Sequence, residues 1–246
     1  MKLSGTPSDE LPAVLAAGAT DIQTIFLSMS AREPNGRDAD YLEWHSLDHR
    51  PEQYRIAGLR HSIRLVSTPA CRAARLVSDA QYDAADHVMT YFFAGNAAFE
   101  RFRTLSAALD GPRRPFRLPS TYAAYFHLAG KIASPKAISG ADVLPFRPAR
   151  GVYVLIERDA QAPNALSSID GVAGVWWHRG GTSSEPGHSD NTGIQVSYFF
   201  LDDDPIETAQ RLREPLLQRW ARGEALPLFA APFHVLVPFE WGRYLP

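Results

Sequence analysis

Apolar side chains follow two different spacings along the chain, and each spacing is typical of one kind of secondary structure. Compact apolar runs bounded by turn residues are typical of strands. Apolar residues three and four positions apart are typical of helices. The two halves of the chain each contain four such runs. The predicted strands are 24–30, 59–66, 87–94 and 122–129 in the first half and 152–157, 172–178, 194–201 and 233–238 in the second.

Helical spacing falls between these strands. Asp38 or Asp40 is predicted to cap a helix that runs to about Tyr54, with Pro51 marking an end or a kink. Asn96 is predicted to cap a second helix. The first half therefore has the order β-α-β-β-α-β, which is the order of a ferredoxin-like unit.

The second half repeats that order with a reduced first helix. A stub is predicted near 164–169, and a full helix over 206–222. Composition predicts a leader and a proline-rich linker that separate the two units. The predicted segments are a leader at 1–20, a first unit at 21–130, a linker at 131–150 and a second unit at 151–246, with a flexible loop at 180–193.

Short sequence echoes support the idea that one unit was duplicated. Tyr91-Phe92-Phe93 returns 107 residues later as Tyr198-Phe199-Phe200, and the segment 123–128 returns at the same offset as 230–235. At an offset of 113, Ile56-Ala57-Gly58-Leu59 matches Ile169-Asp170-Gly171-Val172. The predicted fold class is α+β, with two ferredoxin-like repeats packed sheet to sheet within one chain. Because each such sheet has one face without helices, we expect the ligand chamber between the two sheets.

Composition narrows the function classes. The chain has 246 residues, of which 45% are hydrophobic and 21% charged, and its formal net charge is −2. This balance gives no electrostatic reason to expect nucleic acid as a partner, and no apolar run is long enough for a membrane span. A single cysteine provides no intrachain disulfide or thiolate cluster. We expect a cytoplasmic protein with a small organic ligand as its partner.

The strongest candidate chemistry lies on the first helix. His45 and His49 are four residues apart and so share a helix face, with Asp48 and Glu52 nearby. This pattern is typical of proton transfer, and His45 and His49 are the predicted catalytic residues. A metal pair is disfavoured, because no third ligand and no His-Glu-x-x-His signature is present. The structural alternative is that His49 bonds the chain near Pro51.

Strand alternation predicts a second group of candidates. Arg60 and Arg64 alternate onto the face opposite Ile63 and Leu65. If the apolar face meets the helices, the arginines line the chamber and can hold a carboxylate, a phenolate or an enolate. His61 would then lie on the helix side. The alternative is an edge strand with solvated arginines.

Aromatic residues and one further histidine complete the predicted substrate contacts. They are more often core residues than catalytic ones, and the matching repeat positions of His127 and His234 favour a structural role for both. The predicted substrate-binding residues are Trp44, Arg60, Arg64, Tyr91, Tyr125, His127 and Trp176.

The segment from Tyr41-Leu42-Glu43-Trp44-His45 to His49-Arg50-Pro51, followed by Ile56-Ala57-Gly58-Leu59, resembles the EthD-like group of dimeric α/β-barrel proteins. There a helix carries an aromatic residue and then His-x-Pro, and leads to a glycine at the head of the second strand. The resemblance implies a small apolar chamber and, in enzymatic members, chemistry on small organic compounds. Cofactor-free oxygenases, isomerases, lyases and haem proteins all share this fold, so the reaction stays open.

Residues and resemblance together give three hypotheses. The first is a small-molecule enzyme without a tightly bound organic cofactor, in which a histidine acts as base and an arginine or tyrosine stabilises negative charge. The second is a non-catalytic protein that binds or senses an apolar metabolite. The third is a haem-binding protein, which is disfavoured because the helix predicted at 206–222 contains no histidine. Further homodimerisation of the chain is left open.

Overall fold

A computed structural model of the chain describes residues 21–109, 114–181 and 191–246. The predicted leader at 1–20 and most of the loop predicted at 180–193 lie outside the described residues. The strands are β1 Thr24–Ser30, β2 Leu59–Val66, β3 Val77–Ser78, β4 His87–Phe93, β5 Ser120–Ala133, β6 Gly151–Arg158, β7 Val172–Gly180, β8 Ile194–Leu201 and β9 Leu226–Val235. The α-helices are α1 Asp38–Trp44, α2 Arg50–Gln53, α3 Pro69–Ala73, α4 Ala80–Asp83, α5 Asn96–Leu109 and α6 Pro205–Ala221.

The strands form one large antiparallel sheet that closes on itself. The first half of the chain contributes four neighbouring strands in the order β2-β4-β1-β5, here called the first strand group. The second half contributes the second strand group, in the order β7-β8-β6-β9. β5 pairs with β7 at one junction, and β2 pairs with β9 at the other through Leu65 and Val66 only. The short strand β3 adds to β9. A mixed α+β fold with a large antiparallel sheet is therefore confirmed.

Several bounds differ from the sequence predictions. β5 continues to Ala133, into the predicted linker, and β9 begins at Leu226, seven residues before the predicted strand at 233. The linker also contains a 3-10 segment, Ala141–Phe146. The connection between β2 and β4 holds α3, β3 and α4, which alanine-rich composition does not reveal. No helix in the described ranges is long and apolar enough to cross a membrane.

The space between the two strand groups is filled by side chains. Alternate residues of β1 and β4, such as Leu27 and Phe92, meet Val154, Trp176 and Phe200 from the second group, and all are fully buried or nearly so. Since these side chains are large and packed together, the chamber expected between the sheets does not exist there. Both groups turn their more apolar face inward, because closure of the sheet removes that face from water.

The same constraint reverses one prediction about β2. Ile63 and Leu65 lie in the packed interior rather than under the helices, so Arg64 points to the helix side. His61 also lies on the interior side, where its ring faces Phe92 at 6.2 Å between centroids, and not on the predicted helix side. The polar face of this strand is thus the one that meets the helices.

The sequence echoes have different structural meanings. Gly58 and Gly171 both precede a strand with positive φ, +93° and +89°, and in both strands the pairing register shifts just afterwards. The echo of 123–128 in 230–235 keeps the same residues inward, as Phe126 and Phe233 show. The echo of Tyr91 in Tyr198 does not, because Tyr91 faces the helices and Tyr198 faces the interior. A slip of one residue moves a strand's side chains to opposite faces.

The helices cover the outer faces of the two groups unequally. α6, capped by Asp204, whose Oδ1 accepts from the Ile206 amide at 2.9 Å, presses Leu212 and Leu216 onto Tyr153 and neighbouring residues. The side chains of α6 therefore cover the outer face of the second strand group. On the first group, α5 supplies Phe99 and Phe102, and the space beside them stays open.

The interior contains one histidine whose protonation the fold opposes. His178 is fully buried beside Trp176 and Tyr198. Neither ring nitrogen forms a well-aligned hydrogen bond with a described residue, and the Val196 backbone opposes the effect of burial only in part. Burial lowers the pKa of His178 to about 3. The unfolded chain takes up this proton near pH 6.5, whereas the folded chain does so only near pH 3, so stability is complete above about pH 6.5 and falls as the pH drops below it.

We expect replacement of His178 by Leu to reduce this acid sensitivity. Thermal unfolding of wild type should show a Tm that falls between about pH 6.5 and 4.5, above the range in which most carboxylates titrate. In the His178→Leu variant the slope of Tm against pH in that window should be shallower. The exposed His127 provides the control, because its replacement should leave the slope unchanged. Equal slopes for wild type and the His178 variant would contradict the assignment.

Candidate functional site

A cavity of about 410 Å³ lies between the outer face of the first strand group and the helices that cover it. Alternate residues of β1, namely Phe26, Ser28 and Ser30, form its floor, opposite in direction to the residues that fill the interior. Aromatic side chains from α1 and α5 form much of its wall. The lining residues are Phe26, Ser28, Ser30, Tyr41, Trp44, His45, His49, Gln53, Arg64, Met89, Tyr91, Phe99, Phe102, Arg103, Ser106, Phe116 and Leu118.

The predicted first helix is present, but it is divided by a π-helical turn over His45–His49. The Arg50 amide donates to the His45 carbonyl oxygen, five residues back, and Pro51 follows in the first turn of α2. Pro51 has no N–H to continue an α-helical ladder, so a change of helical register here costs little. The turn places the rings of His45 and His49 5.3 Å apart, both on the cavity.

α1 is fastened to the sheet by a buried hydrogen bond between Asp38 and His87. Asp38, the first residue of the helix, accepts hydrogen bonds from His87 Nε2 and from the Glu33 backbone amide, both at 2.8 Å. Asp38 therefore does not cap the helix as predicted; Arg37 occupies the N-cap position. Because His87 lies on β4, this contact sets the height of α1, and so of Tyr41 and His45, above the cavity floor.

His45 is held in its neutral form. Only 4% of the residue is exposed, its Nε2 lies 3.4 Å from the Tyr91 hydroxyl, and its Nδ1 has no partner in the described residues. Burial lowers the pKa of His45 well below its usual value, and the positive charge of Arg64 lowers it further. A neutral imidazole of this kind can accept a proton when a nearby negative charge compensates the imidazolium.

His49 is half-buried and engaged on both nitrogens. Its Nδ1 contacts the Arg114 guanidinium, its Nε2 lies 3.0 Å from the Gln53 amide nitrogen, and its ring stacks on Trp44 at 5.3 Å. Burial and then Arg114 lower the pKa of His49 to about 4, while Glu52 opposes the shift.

The partners of His49 determine which of its nitrogens carries the proton. Arg114 can only donate, so Nδ1 must accept and the proton must reside on Nε2. The buried Gln53 Oε1 has no partner in the described residues, and a 180° rotation of the amide would let it accept from that Nε2–H. His49 therefore donates its one proton to Gln53 and has no free lone pair, whereas His45 is the histidine that can accept a proton.

Arg64 is the buried charged group of the cavity, which the more exposed Arg103 also lines. It is 4% exposed, and one terminal nitrogen donates to the Tyr41 hydroxyl at 2.8 Å while the guanidinium lies over the Tyr41 ring. Its Nε has no hydrogen-bond partner, and none of the described carboxylates lies within ion-pair distance. A buried charge without a counter-charge is costly, and an anion that enters the cavity would remove that cost.

The remaining predicted residues divide between the cavity and other places. Trp44 and Tyr91 line the cavity with His45, His49 and Arg64. Tyr125 lies beside it, stacked on Phe99 at 4.3 Å, and its hydroxyl donates to Asn96 at 2.5 Å.

Three predicted substrate contacts lie away from the cavity. Arg60 and His127 are exposed, and Trp176 is buried in the interior, where its Nε1 donates to the Ala141 carbonyl at 2.8 Å. Trp176 was assigned on strand alternation alone, which separates two faces without saying which one lines a chamber.

Sequence reasoning missed several lining residues. Phe26, Ser28 and Ser30 follow the strict alternation of β1 and could have been found from it. Gln53, four residues after His49, could have been found from helical spacing as well. Arg114 does not line the cavity but contacts His49, and only the tertiary fold brings it to the first helix. Within the described ranges, no group of three or more His, Cys, Asp or Glu side chains is placed to hold a metal ion.

Comparison with known proteins gives the fold but no family. No protein-family model matches the chain, and no curated protein matches its sequence. A candidate chlorite dismutase superposes with a TM-score of 0.54 at 12% identity over 88% of this chain and 96% of its own. The chlorite dismutase of Candidatus Nitrospira defluvii in complex with imidazole gives 0.52 at 12% identity over 95% and 97%. The structural neighbours are thus chlorite dismutase-like proteins of the dimeric α/β-barrel type.

We expect Asp38→Ala to loosen the cavity by releasing α1 from the sheet. The change leaves the buried His87 Nε2–H without an acceptor, which costs about 1–3 kcal/mol. Urea unfolding should show this loss. Asp40→Ala is the matched control, because Asp40 is exposed in the same helical turn and its loss should change stability by less than about 0.5 kcal/mol. Similar losses for both variants would show that the Asp38–His87 contact does not anchor the helix.

Proposed function

We propose that this protein is a small-molecule enzyme that acts on a small aromatic compound in the helix-side cavity, with histidine as the proton-transfer group and without a tightly bound organic cofactor. The observation that carries the proposal is the buried Arg64, which has no carboxylate partner in the described residues and shares its cavity with two histidines. Such a site favours a substrate that is an anion or becomes one during reaction.

The charge argument gives Arg64 its role. Its guanidinium is held in place by the Tyr41 hydroxyl and ring, so it needs little rearrangement to meet a substrate oxygen. A fixed donor in a poorly solvated site stabilises developing negative charge more strongly than water does. A phenolate, an enolate or a carboxylate would fit this requirement. The Tyr91 hydroxyl, whose pKa burial raises, stays protonated and supplies a second donor.

The two histidines have different roles. His45 can accept a proton at Nε2, because its neutral form is strongly favoured and a bound anion beside Arg64 would raise its pKa toward the operating range. His49 carries its proton on Nε2, where Gln53 can accept it, and acts as a positioning residue. Its stacking on Trp44 fixes the aromatic wall against which a ring can lie.

The apolar wall supports an aromatic substrate. Phe26, Phe99, Phe102 and Met89 surround the polar groups, and the volume of about 410 Å³ lies within the usual range of small-molecule sites. Aromatic rings stack favourably on such a surface. Arg64 would hold the oxygen of a substrate ring, and the surrounding aromatic side chains would hold the ring itself.

We also propose that the chain is a tandem fusion of two ferredoxin-like units of the EthD-like type, with the units at 21–130 and 151–246. The identical strand order of the two groups and the matched positive-φ glycines, Gly58 and Gly171, support this origin. The His-x-Pro helix belongs to the first unit only, and so does the helix-side cavity.

Two alternatives are less well supported. Haem fits this chain poorly: α6 contains no histidine, and the space between α6 and its sheet is filled by Leu212, Leu216 and their neighbours. A binding or sensing protein would use the same cavity without turnover. The pairing of a proton acceptor with an anion-stabilising group favours catalysis over binding.

We expect Arg64→Gln to weaken the binding of aromatic anions by about tenfold to a hundredfold, the equivalent of one hydrogen bond to a charged group. Benzoate and phenol-type probes can be ranked by calorimetry at pH 7. Benzamide, which has a similar shape and no charge, should bind wild type and variant equally. The exposed Arg213 supplies the control as Arg213→Gln. Unchanged benzoate binding in the Arg64 variant would remove the anion argument.

We expect His45→Gln to lower turnover by about a hundredfold or more while anion binding survives, because general base catalysis contributes about 10²–10⁴ in rate. Turnover can be followed by mass spectrometry over a panel of phenols and enolisable aromatic compounds. His49→Ala should also lower turnover, through loss of the Trp44 stack. Full turnover in both variants would reject histidine proton transfer. Binding of the panel without turnover in wild type would favour the binding protein.

A further inference from the structure

A second cavity lies at the weaker junction of the closed sheet. β2 pairs with β9 only through Leu65 and Val66, so the earlier part of β2 borders an opening rather than a partner strand. The 3-10 segment Ala141–Phe146 and the residues that follow it cover this opening. They enclose a space of about 340 Å³, here called the seam cavity.

The seam cavity has an apolar wall and a cationic one. Ile63, Val235, Leu236 and Val237 contribute apolar surface. Arginine and histidine side chains contribute the polar surface, and no carboxylate is among the described residues that line the cavity. Its polar lining residues are Arg50, His61, Ser62, Arg64 and Arg147.

Arg50 is the first cation of the seam cavity. It forms no ion pair with any described carboxylate, its guanidinium lies over the Tyr54 ring at 5.9 Å, and its Nε is buried without a hydrogen-bond partner. A half-buried guanidinium in this state gains from any anion that can reach it.

Arg147 is the second cation. One terminal nitrogen pairs with Asp202, whose side chain is about half exposed. Ion pairs with an exposed partner contribute little, and the guanidinium has further donors that point in other directions. A carboxylate inside the cavity can therefore bind Arg147 alongside Asp202 or in its place.

His61 completes the polar side as a neutral group. Its ring lies 5.4 Å from Phe146 and 6.2 Å from Phe92, so the imidazole is held between aromatic rings. Burial and the charge of Arg50 lower the pKa of His61 to about 4. Neutral at physiological pH, it offers one N–H donor to a ligand oxygen and adds no charge.

We propose that the seam cavity is a second ligand site, which has only Arg64 in common with the helix-side cavity and binds a small organic carboxylate with an apolar body. The carboxylate meets Arg50 and Arg147, and the body lies against Ile63, Val235 and Leu236. The apolar wall excludes a bare inorganic anion as the preferred ligand, since such an anion would leave that surface wet.

Octanoate is the probe for this site, with octanamide as its uncharged counterpart. Calorimetry on the full chain should show saturable binding of octanoate and at least tenfold weaker binding of octanamide. Arg50→Gln and Arg147→Gln should each weaken octanoate binding about tenfold and leave octanamide unaffected. Ala149→Phe, which fills the cavity from its covering segment, should abolish the binding of both.

A matched variant of the helix-side cavity tests whether octanoate binds in the seam cavity. Ser28→Phe fills the helix-side cavity and should leave octanoate binding unchanged. Loss of binding in Ser28→Phe with retention in Ala149→Phe would overturn the proposal, as would equal affinities for octanoate and octanamide. The proposal would also be overturned if wild type showed no saturable binding at millimolar octanoate. The Tm of each unliganded variant shows whether it is folded, and the comparison of the two probes on wild type stands without any variant.

Discussion

The packing of the interior between the two strand groups is the constraint from which the rest of the structure follows. Closing the sheet encloses one face of every strand, and that face must be apolar and large enough to leave no void. Leu27, Phe92, Val154 and Phe200 satisfy this requirement, and the Thr90 and Tyr198 hydroxyls meet across the interior at 2.8 Å. The ligand space is consequently displaced to the outer face.

The two outer faces share a strand order but not a chemistry. Over the second group, α6 supplies Leu212 and Leu216 and leaves no room. Over the first group, α1 and α5 leave a cavity into which the polar alternate residues of the strands point. The polar face of β2 would be unfavourable against a close-packed helix, yet it suits a space that a ligand can enter.

The helix-side cavity has many donors and few acceptors. Arg64 and Tyr91 have hydrogens to give, and burial holds His45 and His49 neutral. The positive charge of Arg64 is therefore not compensated unless an anion binds in the cavity. The same imbalance recurs in the seam cavity at Arg50 and Arg147, so both spaces point to anions while differing in the shape of the apolar wall.

The chain itself was sufficient for the strands, the helix over residues 38–53 and the presence of His45 and His49 on one face, because those features depend on local spacing. Strand alternation also placed Arg64 and Ile63 on opposite faces of β2. The sequence could not say which of these two faces meets the helices, since that depends on how the two strand groups close into one sheet. Nor could it bring Arg114 to His49, exclude Trp176 from the cavity or reveal the π-helical turn. Those arrangements exist only once the interior is packed, because side chains far apart in sequence compete for the same space.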